Sequence, residues 1–144
     1  MDVRLERLNP KRRLLSRQEA ARQDERLRAL AEQVRYGGNP EHKRDPGDFG
    51  LTPPAAWRRG KSLCDDAGVT RREDARALLA AGLLRGLVDA RWDGSEWPGL
   101  IWAVTDAGTP LEAQREAPGR YHGYPMPAAD PLRDTVLARW HAIA

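Results

Sequence analysis

Two short segments of the chain combine acid-base groups with cations. The first is residues 42–51, which hold a histidine, two cations and two carboxylates around Phe49. The second is residues 120–124, in which His122 lies between two tyrosines. The prolines and glycines of the first segment exclude a long helix or a central strand, and loops often carry functional side chains. Both segments are therefore candidate functional sites, and we predict that they meet in space.

The residue types in these segments are those that metal-independent RNA cleavage needs. One group must remove the proton of the 2′-hydroxyl, another must protonate the leaving oxygen, and cations must stabilise the charge that builds on phosphorus. His42 and His122 are the predicted catalytic groups. In a strand, alternate residues share a face, so His122 would lie on the same face as Tyr124. The predicted phosphate- and RNA-binding residues are Lys43, Arg44, Arg120, Tyr121 and Tyr124. Each histidine can also be interpreted as an ordinary surface or edge-strand residue.

Other polar residues have simpler interpretations. Asp48 and Phe49 are predicted to anchor the first segment, with Asp48 fixing its turn and the Phe49 ring packing on the core. His141, at the end of the last predicted helix, is interpreted as structural. No metal or cofactor is predicted, since the spacing of the three histidines fits no zinc motif. The single cysteine, Cys64, excludes an internal disulfide.

Composition indicates one domain without a membrane span. A chain of 144 residues with 40% hydrophobic and 31% charged residues is typical of a globular protein. No apolar run approaches the roughly 18 residues of a membrane helix, and the N-terminus lacks the pattern of a signal peptide. We therefore expect a cytoplasmic protein. Residues 1–62 carry 15 Lys and Arg against 9 Asp and Glu, which favours a polyanionic partner such as nucleic acid.

The hydrophobic pattern predicts an α+β domain. Residues 1–15 are interpreted as a basic flexible lead-in and residues 16–144 as a single domain. Ser16 and Glu19 form a capping box at the start of one helix, and Thr70 and Glu73 form another at the start of a second. A long ordered loop separates these helices. A small antiparallel sheet of three to four strands follows, and Asp130 is predicted to cap a C-terminal helix.

From Lys43 onward, the chain resembles the bacterial anticodon-nuclease toxins of the colicin D type. The segment 43–51, with Asp48-Phe49-Gly50-Leu51, is similar to the family's basic opening, and a helix and a small antiparallel sheet follow in the same order. The resemblance implies metal-independent cleavage of a tRNA anticodon loop, with a histidine as acid or base and basic side chains on phosphate. A cognate inhibitor protein is a further predicted partner. Asp45 occupies the family's histidine position, so that role would pass to His42 or to His122, or the activity would be lost.

Two other functions fit the same sequence. The helix after Thr70 and the hairpin that follows it are similar to the recognition helix and wing of a winged-helix nucleic-acid-binding module, with Arg71, Arg72 and Arg76 facing the nucleic acid. The chain could also be a non-enzymatic protein-interaction domain. RNA is favoured over DNA as the nucleic-acid partner.

Overall fold

The computed structural model describes residues 12–37 and 71–142. The predicted α+β class is confirmed. The predicted long loop lies outside the described residues, as does Thr70 of the second capping box. In chain order the elements are α1 (Arg17–Arg22), α2 (Asp24–Gln33), β1 (Arg35–Tyr36), α3 (Arg72–Leu84), β2 (Leu100–Val104), β3 (Pro110–Ala117), β4 (Arg120–Pro125) and α4 (Arg133–His141).

The first capping box forms as predicted. The Ser16 hydroxyl accepts a hydrogen bond from the Glu19 amide at 3.1 Å, and the Glu19 carboxylate accepts one from the Ser16 amide at 2.9 Å. This arrangement satisfies two amides that a helix start leaves without intrahelical partners. The predicted single helix is divided into α1 and α2 at Gln23, whose φ of −108° and ψ of 15° are not helical.

The sheet has four strands in the order β1-β4-β3-β2. Strands β2, β3 and β4 form the predicted antiparallel meander. The short strand β1 adds to β4 in parallel, with Arg35 opposite Arg120 and Tyr36 opposite Tyr121. The sheet is therefore mixed rather than wholly antiparallel. This parallel pairing brings the end of α2 close to the edge of the meander.

Each face of the sheet packs against different elements. One face carries Ile101, Ala113 and Tyr121 and packs on the apolar sides of α2 and α3. The opposite face carries Trp102 and packs on α4 and on Leu14, which precedes α1. Burial on both faces explains why all five residues of β2 are buried. After Ala113, the residues of β3 alternate between exposed and half-buried. The face that carries Trp102 is therefore open to solvent at the C-terminal end of β3.

Residues 12–15, the last four of the predicted lead-in, belong to the fold. Leu14 and Leu15 are buried, and the Leu15 amide donates to the Val88 carbonyl at 3.0 Å. Predicted strand residues 87–92 form only isolated bridges, in which Leu14 pairs with Asp89 and Val88 with Ile101.

The C-terminal helix begins two residues later than predicted. Asp130 is not its N-cap, which is Leu132. The Asp130 carboxylate instead accepts the Leu132 amide at 2.9 Å and pairs with Arg12, so it closes a turn before the helix.

Candidate functional site

The described residues include one of the two segments singled out in the sequence. His42, Lys43, Arg44, Asp48 and Phe49 lie outside them, and the meeting of His42 with His122 stays a prediction. The second segment forms strand β4. Along it, Tyr121 and Gly123 are buried, while Arg120, His122 and Tyr124 alternate with them and lie on the more open face.

Tyr121 and Tyr124 occupy different environments. Tyr121 is fully buried, and its hydroxyl donates to the Pro98 carbonyl. Burial raises the pKa of the Tyr121 hydroxyl. The Tyr121 ring has no exposed surface and is part of the hydrophobic core. Tyr124 is half-buried, and its hydroxyl donates to Glu112 at 2.6 Å. Burial, followed by this carboxylate, raises the Tyr124 pKa, so the phenol keeps its proton and directs it at Glu112.

A carboxylate lies between the two polar groups that β4 presents. Glu116 Oε2 is 3.4 Å from His122 Nδ1, and Glu116 Oε1 is 3.2 Å from Arg120 Nε. The Glu116 and His122 side chains are 29% and 27% exposed, so solvent reaches both. At 3.4 Å, the Glu116 carboxylate is close enough to act on the His122 imidazole through its charge.

A β-bulge places the Glu116 side chain. The register moves from Arg115 opposite Tyr121 to Ala117 opposite Arg120, so Glu116 is the extra residue on β3. Bulges re-aim side chains and occur frequently beside active sites. Glu116 was not predicted from the sequence, because regular alternation cannot locate a bulge whose position depends on pairing with β4.

Gly37 provides the space that the Glu116 carboxylate occupies. A Cβ atom on residue 37 would lie 1.5 Å from Glu116 Oε1 and 3.1 Å from Arg120 Cγ. The Gly37 amide donates to the Tyr121 carbonyl at 2.8 Å, which holds its backbone against β4. The absence of a side chain at residue 37 therefore permits the contact between Glu116, Arg120 and His122.

A basic cleft of about 350 Å³ adjoins this cluster. We call it the arginine cleft. Arg120 and Gly37 belong both to its wall and to the surroundings of Glu116. The first turn of α3 also opens into it, which adds the positive end of a helix dipole. The cleft is lined by four arginines, one glutamate, Tyr36 and Gly37; the charged members are Arg35, Arg72, Arg76, Arg120 and Glu73.

Individual contacts fix part of the arginine cleft. Arg76 donates to the Glu32 carbonyl at 3.0 Å, at the end of α2, so its side chain is held at the junction of the two helices. Glu73 pairs with Arg71 at 3.1 Å, which partly satisfies the single carboxylate. The excess of arginine makes the arginine cleft suited to an anion, and guanidinium groups match phosphate geometry well. Arg35 was not identified from the sequence. The repeated Arg-Tyr pairs at 35–36 and 120–121, which lie side by side in the sheet, are the signal that could have found it.

A second polar cluster is almost completely buried. The side chains of Arg12, Glu112 and Asp130 are only 4%, 8% and 1% exposed. The Arg12 guanidinium makes two bonds to Asp130, at 2.6 and 3.0 Å, and also pairs with Glu112. The Trp102 indole donates to Glu112 at 2.9 Å. Burial opposes the charge of Arg12, but the two carboxylates outweigh this effect and raise its pKa. The cluster connects the N-terminal segment, the sheet and the turn before α4.

Neither a metal site nor a membrane span occurs in the parts of the chain that the structure describes. Across residues 12–37 and 71–142, no three His, Cys, Asp or Glu side chains are grouped as a metal site requires. None of the helices in those ranges is long and apolar enough to cross a membrane.

Comparison with known proteins finds no match to a family model, to a curated protein or to a solved structure. The resemblance to colicin D-type nucleases therefore stays a prediction.

Proposed function

We propose that the chain binds RNA through its phosphate backbone and cleaves it by metal-independent acid-base catalysis. The observation that supports this proposal is the contact of Glu116 with both His122 and Arg120 at the edge of the arginine cleft. In this proposal His122 is the base, the Glu116 carboxylate assists it, and the arginines of the adjoining cleft bind phosphate; a general acid completes the set that such a reaction requires.

His122 is the proposed general base. Its imidazole removes the proton of a ribose 2′-hydroxyl, and the charge of the neighbouring Glu116 carboxylate stabilises the imidazolium that forms. The 2′-oxygen attacks the adjacent phosphorus, and the bond from phosphorus to the 5′-oxygen breaks. The departing 5′-oxygen takes a proton from a general acid, for which His42 is the residue predicted from the sequence. Arg120 stabilises the charge that develops on the phosphoryl oxygens. The products are a 2′,3′-cyclic phosphate and a 5′-hydroxyl end.

Transfer RNA is the first substrate to test, because the resemblance to anticodon nucleases implies it. This proposal places the protein in the cytoplasm, with a cognate inhibitor protein as a further partner. Wild-type protein incubated with tRNA in EDTA is expected to produce discrete fragments on a denaturing gel. His122→Ala is expected to slow cleavage by about 10²- to 10⁴-fold, the usual contribution of an acid-base group.

His141→Ala is the matched control, since His141 is exposed on α4 and does not line the arginine cleft. It is expected to cleave at the wild-type rate. Intact tRNA after long incubation with excess wild-type protein would overturn the catalytic proposal.

Nucleic-acid binding without cleavage is the second candidate. The arginine cleft favours it, because binding an anion there needs neither Glu116 nor His122. In that case, wild-type protein and His122→Ala would bind RNA equally and neither would cleave it. Duplex DNA tests the winged-helix alternative, in which Arg72→Glu would weaken binding and reduce its salt dependence.

A further inference from the structure

A second group of arginines surrounds a cleft of about 230 Å³ where α1, the end of α3 and the end of α4 come together. We call it the Arg17 cleft. Its cations are Arg17, Arg85 and Arg139, and its apolar surface includes Leu27 and Leu84. Leu84 is 54% exposed, so the cleft is open to solvent.

The positive charge of the Arg17 cleft is not neutralised by carboxylates of the described residues. The ion pairs among residues 12–37 and 71–142 do not include its three arginines. The one acidic residue in the lining, Asp24, pairs with Arg28 at 2.9 Å. Burial and then the charge of Arg17 lower the pKa of Arg139. An anion bound in the cleft would relieve this repulsion between like charges.

Neutral contacts hold two of the three guanidinium groups. Arg139 Nη1 donates to the Leu15 carbonyl at 2.7 Å. The Arg85 guanidinium carbon lies 4.1 Å from the centre of the Trp140 ring. These contacts restrict the side chains and leave their charges intact, which reduces the entropy lost when a ligand binds.

Helix α3 connects the two basic clefts. Arg72 and Arg76 line the arginine cleft near its start, and Leu84 and Arg85 line the Arg17 cleft at its end. At 1.5 Å per residue, the two ends of this helix are about 20 Å apart. Helix α2 runs alongside, since its Leu27 lines the Arg17 cleft and its Glu32 carbonyl binds Arg76.

We propose that the Arg17 cleft is a second binding site for the RNA backbone, and that the substrate is an RNA long enough to occupy both clefts. This inference rests on the proposed function. With a rise of about 3.4 Å per nucleotide along a stacked strand, 20 Å corresponds to about six nucleotides. A dinucleotide therefore reaches only the arginine cleft, whereas a stem-loop spans both. One polyanion accounts for both groups of arginines, and this favours RNA over an acidic peptide as the occupant.

Salt titration of RNA binding tests the second site. The probe is a fluorescent 17-nucleotide RNA stem-loop, and the variants are Arg17→Ala and Arg17→Glu. Arg17 is exposed on α1, so circular dichroism is expected to show an unchanged fold. Loss of one phosphate contact is expected to reduce the slope of log K against log salt by about 0.7 to 0.9. The dissociation constant is expected to rise several-fold for Arg17→Ala and further for Arg17→Glu.

Arg22→Ala and Arg22→Glu are the matched controls, because Arg22 is exposed on the same helix and does not line the Arg17 cleft. They are expected to leave the slope almost unchanged. Equal slopes for the Arg17 and Arg22 variants would overturn the second site, and an acidic peptide would then be the alternative occupant. If wild-type protein binds no RNA, the proposed function fails together with this inference. If Arg120→Ala weakens stem-loop binding and Arg17→Glu does not, only the second site fails.

Discussion

At the scale of single residues, the candidate site depends on an absent side chain. Glu116 can bridge Arg120 and His122 because Gly37 leaves room for its carboxylate. The Glu116 carboxylate is the flexible end of a half-exposed side chain, so it can move away when a methyl group is introduced. A methyl group at residue 37 can therefore move Glu116 with little effect on the fold. Such a variant distinguishes a catalytic role of Glu116 from a structural one.

Gly37→Ala is expected to displace Glu116 and to slow RNA cleavage by about 10- to 100-fold, in keeping with the effect of small misplacements on catalysis. The free energy of unfolding is expected to change by less than about 1 kcal/mol. Nitrogen NMR of His122 provides a readout that a purely structural role would not affect. The Nδ1-protonated tautomer is expected to dominate in the wild type and to lose that dominance in Gly37→Ala, because the carboxylate whose charge favours a proton on Nδ1 has moved.

Gly123→Ala is the control for this experiment. Its methyl group would face the opposite side of β4, where the nearest atom, the Glu112 carbonyl oxygen, is at 3.4 Å. Its His122 tautomer is expected to match that of the wild type. An unchanged tautomer in Gly37→Ala as well would show that Glu116 does not orient the imidazole.

At the scale of secondary-structure elements, the capping box at the start of α1 makes a prediction about pH. The Arg13 guanidinium, followed by the Ser16 amide, lowers the pKa of Glu19 from 4.5 to about 2. Because the pKa is lower in the folded state, the stability that ionised Glu19 contributes is fully present above about pH 4.5. It is lost as the pH falls to about 2.

Carboxyl NMR is expected to give a Glu19 titration midpoint near 2. The difference in unfolding free energy between wild type and Glu19→Gln is expected to be present at pH 6 and to disappear near pH 2. Arg13→Ala removes the largest cause of the shift, so its Glu19 midpoint is expected to move back towards 4.5. A wild-type midpoint near 4.5 would contradict the observed ion pair.

Features that depend on neighbouring residues were predicted from the sequence, whereas features that depend on distant residues were not. The Ser16–Glu19 box depends on residues three apart, so the sequence alone was sufficient to find it. Strand β1 has two residues and exists through its pairing with β4, more than 80 residues away along the chain. Asp130 looked like a helix cap, but Arg12, far away in the sequence, makes it part of a buried ion cluster. Glu116 and Arg35 were missed for the same reason, since long-range pairing brings them to the site.

At the scale of the whole molecule, the buried cluster joins parts that are distant in the sequence. Arg12 lies in the segment before α1, Glu112 in the middle of the sheet, and Asp130 in the turn before α4. The cluster therefore connects the segment before α1 and the sheet to the turn that leads into α4. None of its three side chains lines the arginine cleft or the Arg17 cleft.

Arg12→Ala tests this connection. Without the guanidinium, two carboxylates stay buried with no cation between them, so the free energy of unfolding is expected to fall by about 3–5 kcal/mol. Urea denaturation measures the change. Arg28→Ala, which breaks an exposed ion pair with Asp24, is expected to cost less than about 1 kcal/mol.

Replacing the cluster by neutral groups (Arg12→Met, Glu112→Gln, Asp130→Asn) is expected to recover much of the loss, because no isolated charge is then buried. Equal losses for Arg12→Ala and Arg28→Ala would show that the cluster does not stabilise the fold, since burial is what distinguishes the two ion pairs.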